Sequence, residues 1–307
     1  MMTKYYPEGV LFETKQNKKF IESPTMLRES FFENRILEAR VTLCDRDHNL
    51  HVDLGGIHGI IPRTECAMGI ADGTVRDIAI ISRVNKPVSF KITDFMDDAG
   101  IRTAILSRRL VQEEFMSEFI NNLKAGDVID ARVTHNENFG SFCDIGCGIS
   151  ALLPIDSISV SRIPHPDVRL PINTMIKAVV KSIDEFGRVT LSHKELLGTW
   201  EENAQNFKAG QTVGGIVRSI EKYGVFIELA PNLAGLAEYT PDVQEGECAS
   251  VYIKSINPEK MKIKLAIVDS FPADYPIQKT KYYCKDEHID RWQYSPDISE
   301  KLIETVF

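Results

Sequence analysis

Apolar and polar residues alternate in short stretches along most of the chain, and the stretch EKYGVFIEL shows the pattern clearly. Its aliphatic residues Val225, Ile227 and Leu229 are separated by Phe226 and a glutamate. Successive side chains of a β-strand point to opposite faces, so this spacing predicts a strand whose three aliphatic residues face a core. Phe226 would then point outward, close to Tyr223 in the preceding turn.

The same pattern occurs at three places in the chain. DVIDARVTHNENFGSFCDIG (127–146) matches QTVGGIVRSIEKYGVFIELA (211–230) at a constant offset. Phe139 and Phe142 of the first segment stand where the second has its tyrosine and phenylalanine. RILEARVTLCDRDHNLHVDL (35–54) is a weaker copy with histidines in place of the two aromatic residues. The repeat unit is about 85 residues long, so each copy is predicted to be a domain rather than a solenoid repeat.

Each copy contains five short strand patterns, which favours a small closed barrel over alternating strands and helices. Segments with apolar residues at helical spacing separate the copies and predict packed helical linkers. We therefore expect an all-β protein of three tandem five-stranded barrels joined by short helical linkers. The expected divisions are an N-terminal extension (1–33), a first barrel (34–110), a linker (111–124), a second barrel (125–196), a linker (197–208), a third barrel (209–269) and a C-terminal tail (270–307).

The charge of the chain excludes one way of binding nucleic acid. The 307 residues have a formal net charge of −8, which argues against a protein that coats nucleic acid by charge alone but leaves room for a local basic groove. No apolar run reaches the roughly 18 residues of a membrane span, and MMTKYYPEGV lacks a signal-peptide core. The six cysteines show no metal or redox spacing, so we expect a reduced cytoplasmic protein without a membrane partner.

Catalytic and cofactor motifs are absent from the sequence. It contains no phosphate-binding glycine loop, nucleophile elbow, zinc signature or dinucleotide fingerprint. His48, His51 and His58 lack the cysteine or carboxylate spacing that would support a metal site. We expect no catalytic residue, no metal and no cofactor.

Cations share the outward positions of the predicted strands with the aromatic residues. Arg132 lies between two inward positions of one strand, and Lys262 and Lys264 flank an inward isoleucine of another. Single-stranded RNA needs flat aromatic faces for its unstacked bases and cations for its phosphates. The pattern therefore predicts RNA-binding faces on the second and third barrels. Further residues expected on these faces are Lys181, Arg218, Tyr252 and Lys254.

Three segments make the chain resemble a known family. SISVSRIPHPDVRLPINTMIKAVVKSID, LSRR and GTWEENAQNFKAGQTVGGIVRSIEKYGVFIELAPNLAGLAEY occur in the order and at the spacing found in bacterial small-subunit ribosomal protein S-one. That family is built from tandem S-one RNA-binding repeats of the OB fold. The resemblance covers residues 34–269 and leaves both ends of the chain unmatched.

The resemblance implies a non-catalytic protein that binds single-stranded RNA, including mRNA, and acts in translation. It also implies the small ribosomal subunit as a candidate partner. In each repeat it places a turn aromatic, a second-strand aromatic and a polar–basic pair in the RNA site. These residues are Phe139, Phe142, Asp184 and Arg188 in the second barrel, and Tyr223, Phe226, Asn257 and Lys262 in the third. Weaker candidates are His48, His51, Arg40, Arg162 and His165.

The chain departs from the family pattern at several positions. Pro62, Pro154 and Glu238 stand where the family often has histidine, and Val160 stands where it often has an aromatic residue. The first barrel lacks the aromatic pair, so we expect it to bind RNA most weakly. Two other hypotheses stay open at this point. One is a protein-interaction scaffold whose outward aromatic residues are covered by neighbouring elements, and the other is an accessory subunit of an RNA-processing complex.

Overall fold

The computed structural model describes residues 4–98, 101–272 and 280–307, in which strands contain far more residues than helices. They form three closed five-stranded barrels, which confirms the predicted fold class. Around each barrel the strands follow the order first, second, third, fifth, fourth. In barrels 1 and 3 the third and fifth strands pair in parallel and the other neighbours are antiparallel.

The strands are numbered along the chain. Barrel 1 consists of β1 Leu37–Cys44, β2 Leu50–Asp53, β3 His58–Ile61, β4 Pro87–Asp98 and β5 Ile101–Ser107. Barrel 2 consists of β6 Val128–Glu137, β7 Gly140–Gly146, β8 Ile149–Pro154, β9 Met175–Ile183 and β10 Val189–Ser192. Barrel 3 consists of β11 Thr212–Glu221, β12 Gly224–Ala230, β13 Leu233–Ala237, β14 Cys248–Asn257 and β15 Lys262–Phe271. A separate two-stranded sheet consists of β16 Arg291–Gln293 and β17 Glu304–Val306.

Short helices lie before the first barrel, between consecutive barrels and in the loops that connect strands of barrels 1 and 2. The α-helices are α1 Lys15–Ile21, α2 Pro24–Phe32, α3 Ile78–Ile81, α4 Arg109–Glu118 and α5 Trp200–Ala204. The 3-10 helices are Arg63–Glu65, Ile120–Asn122, Ile155–Ser157, Pro166–Val168 and Lys194–Leu197. Across the described ranges, no helix has the length and apolar character needed to cross a membrane.

The chain divides into two compact units. The first contains the described residues up to Leu123 together with Asp144–Ser150. The second contains Lys124–Cys143 and the described residues from Ala151 onward.

Strands β12 and β15 of barrel 3 show the predicted alternation of side chains, except that Leu229 packs against the core but is only half-buried, where the register between β12 and β13 shifts. Val225 and Ile227 of β12 are fully buried, whereas Phe226 between them is only half-buried on the outer surface. On β15, Ile263 is buried and the lysines on either side of it are exposed. The inward residues meet in one apolar core that also includes Trp200 of α5. Burial of these alternate positions is the main source of stability for such a barrel.

The turns before the second strands of barrels 2 and 3 require glycine. Gly140 and Gly224 begin the second strands of barrels 2 and 3 with φ angles of 157° and 153°. A Cβ atom at either position would lie 2.4 Å from a backbone carbonyl oxygen, that of Leu153 or of Ala237. Glycine therefore allows the third strand to approach the turn beside the outward aromatic residues.

Buried polar contacts attach the N-terminal segment to barrel 1. The carboxylate of Glu38 on β1 accepts hydrogen bonds from the backbone N–H groups of Gly9, at 2.9 Å, and Phe12, at 2.8 Å. Burial raises the pKa of Glu38 to about 7. Glu8 forms a buried ion pair with Arg108, with 2.6 Å between Oε1 and Nε. The segment before α1 is thus part of the first unit.

The C-terminal segment packs on barrel 3, a question that the sequence left open. Trp292 of β16 and Tyr294 are buried and belong to the core cluster of this barrel. The Tyr294 hydroxyl donates a 2.6 Å hydrogen bond to the carbonyl oxygen of Asn232. The expected tail also includes residues 273–279, which lie outside the described residues.

Candidate nucleic-acid interface

Two aromatic rings meet on the outer surface of barrel 3. Tyr223 lies in the turn between β11 and β12, and its side chain is 70% exposed. Its ring centroid is 6.1 Å from that of Phe226, and the ring planes cross at 89°. This edge-to-face contact fixes both rings while a face of the exposed tyrosine stays open to solvent. An open aromatic face is the surface on which an unstacked base packs.

Barrel 2 has the same arrangement. The ring centroids of Phe139 and Phe142 are 6.0 Å apart and the planes also cross at 89°. Phe139 is 55% exposed. The sequence repeat is therefore reproduced in the geometry of the rings, although one copy has tyrosine and the other phenylalanine.

A third ring, His135, extends the aromatic surface of barrel 2. It lies parallel to Phe142, with the two centroids 6.4 Å apart and the planes at 18°. The sequence does not predict His135 on this surface, because strict alternation after Val133 places it on the inner face. In barrel 3 a β-bulge in the first strand changes the alternation, and Ser219 at the matching position pairs with Phe226. Local spacing contains no clear signal for such a bulge.

Strand register places a cation on the same outer surface as the rings of barrel 3. Phe226 pairs with Leu236 on β13, and Leu236 pairs with Lys264 on β15. The exposed lysine is therefore two strand spacings, about 10 Å, from the phenylalanine along the barrel surface. A flexible lysine side chain at this distance is suited to contact the phosphate next to a stacked base.

The predicted polar–basic pairs shape the turns between the last two strands. In barrel 2, Asp184 accepts hydrogen bonds of 2.9 Å from the backbone N–H of Arg188 and 2.6 Å from its Nε. The backbone N–H of Arg188 is the main cause of the lowered pKa of Asp184. In barrel 3, Asn257 accepts a 2.8 Å hydrogen bond from the backbone N–H of Lys260 and is the register partner of Lys262. Each pair thus combines an ordered turn with an exposed cation.

Other predicted residues lie on the outer surface and differ in exposure and in whether a neighbouring side chain already binds them. Arg132 on β6 is half-buried, and its Nε finds no hydrogen-bond partner among the described residues. Lys181 is exposed and donates a 3.2 Å hydrogen bond to the Ser157 hydroxyl. Tyr252 on β14 is exposed. Lys254 forms a 2.9 Å ion pair with Glu238, which lowers the pKa of that carboxyl and occupies the cation.

Arg218 requires a correction. We expected it on the open face of barrel 3, but its side chain is only 6% exposed. It lies at the β-bulge and donates hydrogen bonds of 2.9 and 3.2 Å to Glu228. Glu228 also accepts two 2.8 Å hydrogen bonds from Arg169. Burial alone would raise the pKa of Glu228, but the two arginines hold it below its usual value. The structure does not bring Arg218 to the aromatic pair.

Barrel 1 presents histidines and acids where the other barrels present aromatic rings. His51 lies 2.9 Å from His58, measured between Nδ1 and Nε2, and its Nε2 lies 2.9 Å from Asp45 Oδ2. The hydrogen bond from His51 is the main cause of the lowered pKa of Asp45. His48 occupies a turn with φ of 61°, 3.8 Å from Asp77. None of these contacts leaves a broad aromatic face.

The remaining weaker candidates lie away from the aromatic pairs in sequence and have separate surroundings. The guanidinium carbon of Arg40 is 5.4 Å from the ring centroid of Phe12 in the N-terminal segment. Arg162 is exposed on the long loop after β8. On the same loop, Nδ1 of His165 accepts a 3.2 Å hydrogen bond from the backbone N–H of Asp167 and caps a 3-10 helix. His165 therefore has a structural contact of its own.

A further exposed aromatic residue, Phe186, is not among the residues predicted from the sequence. This residue lies in the turn between β9 and β10 and is 69% exposed. The sequence signal was present as an aromatic residue among the polar residues of the DEFGR turn.

Comparison with known proteins adds evidence from homology. The family model of the S1 RNA binding domain, the S-one domain, matches residues 30–109 and 122–194. Small ribosomal subunit protein bS1 of Staphylococcus aureus strain COL is 28% identical over 302 residues, which cover 92% of this chain and 74% of the relative. The protein of the same name from Leuconostoc lactis is 28% identical over 255 residues, 78% of this chain and 57% of the relative.

Solved structures with similar elements include a multidomain protein with nucleic acid binding domains from Streptococcus pneumoniae. It is 12% identical, with a TM-score of 0.24, and the alignment covers 80% of this chain and 76% of that one. GSP13 from Bacillus subtilis is 21% identical, with a TM-score of 0.22, over 23% of this chain and 55% of that one.

Proposed function

Because this chain is an S1-family protein, we propose that it binds single-stranded RNA, including mRNA, and acts in translation without catalysing a reaction. The observation that best supports this function is the repeated aromatic pair. Barrels 2 and 3 each present two rings in edge-to-face contact, at 6.0 and 6.1 Å, with the turn residue exposed. Such rings bind bases of any sequence, because every base has a flat face.

We assign the bases to the aromatic residues and the phosphates to the exposed cations. The stacking residues are Phe139 and Phe142 in barrel 2 and Tyr223 and Phe226 in barrel 3. The phosphate contacts come from Lys181 and Arg188 in barrel 2 and from Lys262 and Lys264 in barrel 3, all of which are exposed. Arg132 and Tyr252 lie on the same outer surfaces and complete the proposed set.

The proposed partner besides RNA is suggested by the names of the relatives. The relatives from Staphylococcus aureus and Leuconostoc lactis are named as small ribosomal subunit proteins. The small ribosomal subunit in the cytoplasm is therefore the proposed place of action. Cosedimentation of the protein with purified small subunits would test this association separately from RNA binding.

The proposed function predicts a preference for single strands and a shallow salt dependence. An unstructured oligonucleotide should bind more tightly than the same oligonucleotide annealed to its complement, because stacking requires unpaired bases. The formal net charge of −8 restricts phosphate contacts to a few local cations. A log–log plot of the association constant against salt should therefore have a slope no steeper than about −3, as expected for about four contacts to a single strand.

Fluorescence anisotropy titrations at several salt concentrations would measure both quantities. Equal or tighter binding of the duplex would contradict the stacking assignment. A slope corresponding to about ten phosphate contacts would show that charge rather than stacking dominates the interaction.

A further inference from the structure

Barrel 2 exposes a phenylalanine that the proposed function does not use. Phe186 lies in the turn between β9 and β10, and 69% of it is accessible to solvent. The residues around it in the turn are aspartate, glutamate, glycine and arginine. A large apolar side chain in such a position loses the free energy that burial would provide.

The turn that presents Phe186 is ordered by hydrogen bonds. Oδ1 of Asp184 accepts hydrogen bonds of 2.9 Å from the backbone N–H groups of Phe186 and Arg188. The backbone N–H of Gly187 donates a 3.0 Å hydrogen bond to the Asp184 carbonyl oxygen, and Gly187 has the positive φ of 74° that this turn requires. The exposed ring therefore projects from a defined position.

A cation lies directly beside the ring. The guanidinium carbon of Arg188 is 5.1 Å from the ring centroid of Phe186, within the range of a cation–π contact. The Arg188 side chain is 75% exposed and its Nε is bound to Asp184. Within the described ranges its terminal nitrogens donate no hydrogen bond, so they are available to an anionic group.

The turn that contains Phe186 and Arg188 leads into a strand that is separated by one neighbouring strand from the strand of Phe142. The turn leads into β10, where Thr190 pairs with Leu152 of β8. Strand β8 is the direct neighbour of β7, which contains Phe142. The matching turn of barrel 3 contains proline, glutamate, lysine and methionine at positions 258–261 and no aromatic residue. The additional ring is thus a property of barrel 2.

We propose that Phe186 is a third base-stacking residue of barrel 2 and that Arg188 contacts a phosphate next to the stacked base. This inference rests on the proposed function, since it names a further position on the same RNA. It implies that barrel 2 binds one more unstacked nucleotide at this turn than barrel 3 does. An exposed ring beside a cation whose terminal nitrogens are open matches the chemistry of a single-stranded nucleotide.

The test compares variants of the whole chain with the same unstructured oligonucleotide. Phe186→Ala should weaken binding by roughly 5-fold or more. Phe186→Leu should weaken binding to a similar extent, because it keeps an apolar side chain but removes the π-face. Phe186→Trp should keep the RNA affinity, because it keeps an aromatic face. The matched control is Phe32→Ala, which removes an 83% exposed phenylalanine from α2 and should leave affinity unchanged.

The double variant Phe139→Ala/Phe142→Ala separates this inference from the proposed function. If the double variant loses affinity while Phe186→Ala does not, the role of Phe186 is overturned and RNA binding by the barrel face stands. If neither variant changes affinity, the proposed site on barrel 2 is overturned as well. Retained affinity in Phe186→Leu, or an equal loss in Phe32→Ala, would also overturn the stacking role. Melting temperatures would verify that every variant is folded.

Discussion

Tyr223 and Phe226 show how one pattern in the sequence satisfies two requirements. Their aliphatic neighbours Val225 and Ile227 are fully buried, so the barrel core does not need either ring. The rings contact each other instead and leave the tyrosine exposed. The inner face of this strand therefore contributes to the core, and its outer face is left for the proposed contact with RNA.

Replacement of both aromatic residues tests this separation. Tyr223→Ala/Phe226→Ala should weaken RNA binding by roughly 2–4 kcal/mol if each ring stacks one base. The melting temperature should change little, because the tyrosine is exposed and the core is retained. Anisotropy titration and thermal unfolding of the same variant measure the two effects. A lower melting temperature with unchanged affinity would instead favour a scaffold whose outer rings form a packed interface.

Lys254 shows how the charge of a neighbouring residue limits a cation. Alternation correctly predicts that it faces outward, beside the fully buried Ile253. However, Glu238 forms a 2.9 Å ion pair with it, at a position where the family often has histidine. In the proposed RNA complex the lysine must exchange this partner for a phosphate, so we expect its net contribution to be smaller than that of Lys262 or Lys264.

The barrels differ as elements in the surfaces they offer to RNA. Barrel 1 keeps the β-bulge of the first strand, since its register shifts between Val41 and Leu43. Its outer surface there presents His51, which is engaged by Asp45 and His58. Carboxylates repel phosphates, so the same fold presents a less suitable surface for RNA.

Barrel 1 should therefore contribute little to RNA affinity. His48→Ala/His51→Ala should change the dissociation constant of the whole chain by less than about twofold, whereas stacking residues are worth about 1–3 kcal/mol per base. The same oligonucleotide and buffer should be used for this variant and for the double variant of barrel 3. A larger loss from the histidine variant would mean that barrel 1 is a principal RNA site.

At the scale of the whole molecule, the C-terminal segment ties the second unit together through a buried histidine. Nδ1 of His193 donates a 3.1 Å hydrogen bond to the carbonyl oxygen of Ile158. Its Nε2 accepts a 3.3 Å hydrogen bond from the Tyr282 hydroxyl, whose oxygen accepts one of 3.0 Å from the backbone N–H of Lys177. This network requires neutral histidine, and burial lowers the pKa of His193 to about 4.

The stability of the protein should therefore depend on the protonation of His193. The ordinary pKa is 6.5, so the unfolded chain takes up a proton at a pH where the folded protein does not. The contribution of His193 to the free energy of unfolding is fully present above pH 6.5. It decreases by about 3 kcal/mol in total as the pH falls toward 4. Chemical unfolding of the parent protein and of His193→Gln between these pH values gives the free energy of unfolding as a function of pH. The difference between the two slopes measures the contribution of His193.

Two other buried groups make this comparison necessary. Burial raises the pKa values of Glu38 and Asp144 to about 7, so their contribution to stability increases as the pH falls, opposite to that of His193. Both groups are present in the parent protein and in His193→Gln, so their effects on the pH dependence of stability cancel when the two proteins are compared. An identical slope in His193→Gln and the parent protein would contradict the assignment.

The sequence by itself determined the barrel repeat, the inward and outward positions of most strands, and the two aromatic pairs. These features depend on the two-residue period of a strand, which is a local property of the chain. The aromatic pair could be found because both members lie in one hairpin, at residues 139–142 and 223–226. The exposed lysines on either side of Ile263 followed from the same rule.

Only the tertiary structure decided which outward residues are free. Arg218 lies at a β-bulge and is buried by Glu228, which Arg169 also binds from 59 residues away in sequence. His135 reaches the aromatic surface at the position where barrels 1 and 3 have the same bulge. The C-terminal segment found its place through contacts such as that between Tyr294 and Asn232, 62 residues apart. Bulges and long-range contacts depend on the assembled barrel, whereas alternation is a property of each strand alone.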